Sequence, residues 1–209
     1  MPTTTYTPEE DCWVRGQDNT SHANAVAANG SLVQDNRGNT AYVKAGSTYY
    51  CARTYYRFDT TAIPTDATAS SAFVEIVSDR SRGLTTDAVE VHKLFASSDN
   101  SSAIHSSLYQ TITSVASNTT TDVGNTADVA HQLVIDGDLL NYLNTQIAAG
   151  AKSAFFLRNK GDYDVATEGN PTSVSTRGFD TTTHGTAPFI SITYPGAAAD
   201  NATFFGANF

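Results

Sequence analysis

The chain has 209 residues, 12 basic against 21 acidic side chains and a formal net charge of −9. A chain this acidic gains nothing from releasing counterions on a phosphate backbone, which argues against a nucleic-acid partner, and no run approaches the ~18 consecutive apolar residues of a membrane-spanning helix. Lys and Glu, good helix formers, are scarce, while Thr and Ser, which suit strands and turns, are abundant, so the expected class is all-β in a single domain.

Residues 1–10 are Thr-rich, carry Pro2 and Pro8, and read as an extended arm that is mobile in isolation. They lack the basic and apolar regions of a signal peptide. The chain is therefore expected to work where it is made, to leave by lysis, or to have lost a leader. Asp11 to Gly16 reads as the first strand, with Trp13, the only Trp, as a core anchor. Gln17 to Gly30 is polar and turn-rich. Ser31 to Asp35 and Thr40 to Lys44 read as a hairpin around Asn36-Arg37-Gly38-Asn39, because Asn and Gly tolerate the positive φ of tight turns.

Tyr49 to Ile76 organises the rest. Tyr50, Ala52, Tyr56 and Phe58 alternate with Arg53 and Arg57, the pattern of a strand with one buried and one wetted face. Ile63-Pro64-Thr65-Asp66 makes a turn. Ala72, Val74 and Ile76 then face inward from a second strand, with Phe73 and Glu75 outward. Ser78 to Asp87 is a loop, Ala88 to Phe95 a strand, Ala103 to Ser117 either helix or strand, and Asn118 to Asp128 a long polar loop. His131 to Asp136 is a short strand. Residues 138–149 are the one good helix, with Leu139, Leu140, Leu143 and Ile147 on one stripe, Asp136 or Asp138 available as a cap and Gly150 as the stop. Lys152 to Arg158 and Pro188 to Tyr194 are core strands, separated by a long loop with at most one short strand. The tail, residues 196–209, is rich in Ala and Gly yet carries Phe204, Phe205 and Phe209.

The strings Arg57-Phe58-Asp59, Ile63-Pro64 and Ala69-Ser70-Ser71-Ala72-Phe73-Val74-Glu75-Ile76, with Ser153 to Arg158 and Pro188 to Tyr194, resemble the core of the DNRLRE-type β-sandwich. That domain is a jelly roll similar to carbohydrate-binding modules, found in bacterial surface proteins, with similar jelly rolls in virion decoration and tail proteins. The resemblance implies a jelly-roll β-sandwich over residues 11–195, with one inserted helix and extended arms at 1–10 and 196–209. It implies no catalytic motif. Sandwiches of this kind often hold a structural calcium, for which Asp162 and Asp164 are the candidate oxygens, although the same pair reads as an ordinary turn.

The residues themselves point away from catalysis. The five histidines show no metal-ligand spacing, and no nucleophile elbow, phosphate loop or dinucleotide fingerprint is present. Glu75 is the best-placed carboxylate for an acid–base pair, and alternation turns it outward. Cys12 and Cys51 both fall in strands, so a bridge is conceivable, but small buried thiols are the plainer reading. Ten Tyr and ten Phe exceed what one strand pair buries. Tyr49 and Tyr55 fall on the Arg-bearing face, which suits a protein interface, a sugar platform, or a second layer buried beneath a loop or helix. Phe204, Phe205 and Phe209 each forgo roughly 1.5–3 kcal/mol if left in water, so they are expected to dock on this subunit or a neighbour.

The expectation is a non-enzymatic virion structural protein, made in the host cytoplasm. It would be a bacteriophage capsid decoration or cement protein, or a tail component, with capsid or tail subunits as partners. Self-association into a homo-oligomer such as a trimer suits that role. No cofactor, nucleic acid or membrane is expected. The alternative is a carbohydrate-binding or adhesin-like module using the Tyr side chains.

Overall fold

The computed structural model describes residues 1–35, 38–78, 89–100, 106–124, 128–164, 175–179 and 186–195. Among these residues two antiparallel sheets face each other in a β-sandwich. The smaller sheet runs β1 (Thr3–Tyr6), β13 (Phe189–Thr193), β6 (Ser71–Val77), β10 (Ala130–Ile135). The larger is built on β5 (Thr48–Phe58). One edge of β5 pairs along its length with β2 (Pro8–Asp18), from Pro8 opposite Phe58 to Asp18 opposite Tyr49.

The other edge of β5 is divided. Its residues 54–58 pair with β11 (Ser153–Asn159), and its residues 48–52 pair with β4 (Gly38–Ala45). The sheet therefore forks at Arg53. Beyond β11 lies β7 (Val89–Ser97), whose outer edge is shared by β8 (Ile112–Ala116) and β9 (Thr121–Gly124). Beyond β4 lies β12 (Ser175–Phe179), and beyond β2 lies β3 (Ser31–Asp35).

Strand alternation fills the sandwich as the sequence leads one to expect. Tyr56, Phe58, Phe155, Leu157, Leu94 and Ala96 from the large sheet meet Ala72, Val74, Ile76, Leu133, Ile135, Ile190 and Ile192 from the small one. The 12-residue helix α2 (Gly137–Ala148) buries Leu139, Leu143 and Ile147 in this same core, each worth about 1.5–3 kcal/mol of removal from water. It ends where Gly150 takes φ of 60° and its N–H donates to the Ile147 carbonyl at 2.9 Å. Asp136 stands at the N-cap without a side-chain cap bond. Its carboxylate instead accepts from the Asn118 and Thr119 amides at 2.6 and 3.2 Å, which pins the polar loop to the helix start.

The face of β5 expected to be wetted is covered too. Arg57 is buried against Glu9 and Glu10, and Arg53 and Tyr55 lie beneath a second layer made by α1 (His22–Ala27), a 3-10 turn at Ser106–Gln110 and α3 (Lys160–Tyr163). Cys12, Val14, Tyr55, Phe95, Leu108, Tyr109, Ala154 and Phe156 form its core. These covering pieces are short and come from polar stretches, so no hydrophobic period announces them. Ser21 starts α1 by accepting from the Asn24 amide at 3.1 Å.

Three other local expectations change. β3 and β4 do not form a hairpin: β3 pairs with β2 and β4 with β5, on opposite sides of the long β2–β5 ladder. A good turn sequence offers a hairpin, but the longer pairing takes both strands away from each other. Residues 1–10 are extended yet tied in, since β1 pairs with β13 and β2 begins at Pro8. The polar stretch Asn118 to Asp128 contains β9. The loop from Ser78 to Asp87 and the tail lie, almost entirely and entirely, outside the described residues.

Gly16 allows the second layer to approach. A methyl there would meet the Ala25 carbonyl oxygen and stand 2.6 Å from the Tyr109 hydroxyl oxygen, the two groups joined by a 2.9 Å hydrogen bond. Gly16→Ala should therefore lower stability by about 1–3 kcal/mol, read as a fall in the urea midpoint at unchanged slope.

Candidate functional site

Among the described residues, the most deeply buried set of paired charges lies at the fork. The Asn159 side chain caps α3, accepting from the Asp162 amide at 3.1 Å, and so holds Asp162 fully buried in the first turn. Arg53 grips that carboxylate with Nε at 2.9 Å and Nη2 at 2.8 Å. Arg158 grips it from β11 with Nε at 2.6 Å and Nη2 at 2.9 Å. Arg53 also donates from Nη1 to the Tyr109 carbonyl at 3.0 Å and lies 3.9 Å from the centroid of the Tyr109 ring. Burial alone would raise the Asp162 pKa. The Arg53 and Arg158 charges outweigh it and hold the carboxyl well below the usual range.

This arrangement clamps; it offers no nucleophile. Two strands that part at Arg53 are bound through one acid on α3. Cys51 beside it is buried, and burial followed by the Asp162 charge pushes its thiol far up, away from the reactive thiolate. Both Asp162 oxygens face guanidinium groups rather than an open ligand position, and Asp164 stands 3.9 Å from Lys160. Among the described residues no group of three or more His, Cys, Asp or Glu is placed to hold a metal ion.

The aromatic residues proposed for partner binding separate. Tyr55 is buried, its hydroxyl donating to the Asp99 carbonyl at 3.1 Å and its ring 5.2 Å from Phe156. It belongs to the second core rather than to an exposed platform. Tyr49 is half-buried and stands edge-on to His22, which stacks on Tyr42 at 3.9 Å. Arg57 is buried between Glu9 at 3.4 Å and Glu10 at 3.3 Å, so the Arg face is spent within the chain. Phe204, Phe205 and Phe209 lie outside the described residues.

Cys12 and Cys51 are both buried thiols. Cys12 is level with Tyr55 on β5, four residues from Cys51. At about 3.3 Å per residue that is ~13 Å, beyond the ~7 Å Cα separation a disulfide spans. Neither thiol should react with an aromatic disulfide reagent in the native state, and both should react in denaturant. A native count of one or two would contradict the buried placement.

One surface feature was only half legible in the sequence. On the outer face of the small sheet, Phe73 pairs across β6–β10 with Val134, and its ring lies 6.1 Å from Phe189 on β13. Val134 is 39% exposed, and Phe73 and Phe189 are half-buried. Gln132 donates to Glu75 at 3.1 Å beside them, giving an apolar ridge with a polar margin. Alternation places Phe73 outward, but only the strand order β13-β6-β10 brings Phe189 and Val134 to it. β1 is one edge of this sheet among the described strands and β10 the other, and the chain leaves β13 beside β1, with the Tyr194 amide donating to the Pro2 carbonyl at 3.3 Å.

No protein-family model matches the chain, and no curated protein matches it.

Proposed function

We propose that the protein is a non-enzymatic structural component of a virus particle: a bacteriophage capsid decoration or cement protein, or a tail component, that stabilises contacts between subunits and associates with itself, as in a trimer. The observation that carries this reading is the ridge of Phe73, Phe189 and Val134 on the outer face of a two-sheet scaffold in which Arg53, Arg57 and Arg158 are paired with acids of the same chain. Half-exposed aromatic residues with a polar margin are the composition of an interface core and rim. The sequence resemblance to jelly-roll virion proteins supports it, as do the three Phe of the tail, which gain by docking and on this reading dock on a neighbour. On this reading the protein resides in the virion after synthesis in the host cytoplasm.

The test is to image the source material by electron microscopy with an antibody against this chain. Label at regular spacing on a shell or tube is the expected result. Label confined to soluble fractions, with particles bare, would refute the reading.

A further inference from the structure

The two sheets are not covered alike. Among the described residues, the large sheet has the sandwich core on one face and, over part of the other, the layer of α1, the 3-10 turn and α3. The small sheet has only the sandwich core. Its outward positions are hydroxyl residues on β1 and at the end of β13, and beside them the ridge of Phe73, Phe189 and Val134. Glu75 is the one charged side chain among these outward positions, and it already accepts from Gln132 at 3.1 Å. The large hydrophobic side chains exposed among the described residues gather at the same sheet: Val134 within β10, Val129 just before it, and Met1 shortly before β1.

The edges of this sheet are poor places to add a strand. β1 is four residues long and lies between Pro2 and Pro8. At β10 the Gln132 carbonyl accepts from the Thr121 hydroxyl at 3.0 Å. Short, Pro-flanked or covered edges resist pairing, so a partner meets this sheet on its face.

The chain itself carries a segment that suits such a face. β13, an inner strand of the small sheet, ends at Thr193. Residues 196–209 follow, with Phe204, Phe205 and Phe209, a single charged side chain, Asp200, and neither Lys nor Arg. In a chain of net charge −9, a segment without a cation finds no ion pair to make on an acidic surface. Its docking energy has to come from apolar area, and the ridge offers that area. Phe204 stands nine residues beyond Pro195, about 30 Å of extended chain, which is enough to cross to the sheet of an adjoining copy.

We propose that the ridge is the receptor for the C-terminal segment of a second copy of this chain, with Phe204, Phe205 and Phe209 laid against Phe73, Phe189 and Val134. The inference rests on the assembly reading and says which two surfaces of the chain meet. Each copy gives one segment and receives one, which closes in a symmetric ring such as the trimer.

Two measurements on full-length protein test it. The first is sedimentation velocity of a ridge variant, Phe73→Thr with Val134→Lys, beside the wild type and the variant with Ser at Phe204, Phe205 and Phe209. The ridge and tail variants should each raise the association midpoint tenfold or more. Val134→Lys alone, at a position 39% exposed, serves if the double change unfolds the protein. The second is NMR of the isotope-labelled tail variant titrated with a synthetic peptide of residues 196–209. Saturable amide shifts centred on Phe73, Val134 and Phe189 are expected, weakened tenfold or more when Val134→Lys is added. An oligomeric wild type whose ridge amides ignore the peptide would overturn the inference and leave the assembly reading standing. A ridge variant that dissociates while the tail variant stays associated would also overturn it, because ridge then meets ridge. A wild type that is monomeric at every concentration would remove the assembly reading as well, and peptide shifts at the ridge would then place the segment on its own sheet.

Discussion

Asp162→Asn is expected to destabilise the fold by about 3–5 kcal/mol, because it removes the one anion between two guanidinium groups that are nearly out of water. Asn keeps the shape of the side chain but cannot accept two forked donors as an anion does, and Arg53 is left 4% exposed with an uncompensated charge. Arg158→Met should cost less. Asp162 then keeps Arg53, and the aliphatic chain still packs where the Arg158 guanidinium now lies, 4.6 Å from the Phe95 ring centroid. Urea midpoints of the two variants rank them: Asp162→Asn well below Arg158→Met supports the clamp, and equal midpoints contradict it.

The same acid shapes the pH response. Its folded pKa lies below the unfolded carboxylate value of about 3.9. The unfolded chain therefore takes up its proton first, and stability from ionised Asp162 is complete above that value and is shed as pH falls through it toward the folded value. The gap in stability between wild type and Asp162→Asn should be constant from neutral pH to about pH 5 and close below pH 4. A gap that persists unchanged into strong acid would show that the loss comes from packing rather than charge. Asp18, Asp59 and Asp136 are lowered in the same direction, chiefly through hydrogen bonds, but they stand largely in solvent and should move the acid limb little.

Serine at Phe204, Phe205 and Phe209 together is expected to abolish self-association without touching the unfolding midpoint. Three phenylalanines buried on a neighbour at roughly 1.5–3 kcal/mol each supply about 4–9 kcal/mol, a thousandfold or more in the dissociation constant. Sedimentation velocity across a dilution series reads this directly, as a shift of the association midpoint out of the accessible range. An unchanged midpoint would remove the tail from the interface and leave the ridge of Phe73, Phe189 and Val134 as the surface to vary next.

How much of this was legible in the chain differs from element to element. The α2 stripe of Leu139, Leu143 and Ile147 and its Gly150 stop are local signals, and they are realised. So are the alternations that place Tyr56 and Phe58 against Val74 and Ile76. Arg53 and Arg57 misled for a physical reason. A charged residue is read as wetted unless a partner is in sight, and Asp162 lies 109 residues from Arg53. Nor could spacing show that β5 has three pairing partners and forks at Arg53, because that follows from the competition among ladders and not from any one strand. The second layer was equally hidden, since α1 contributes one buried apolar side chain, the 3-10 turn two and α3 none. Trp13 is buried, as its reading as a core anchor expects.

The mass of the protein in solution tests the central claim most directly. Multi-angle light scattering at micromolar concentration should give a fixed multiple of the 22.2 kDa chain, three being the number that suits a capsid cap. A single 22.2 kDa species at every concentration, unchanged when particles from the same source are added, would contradict an assembly role.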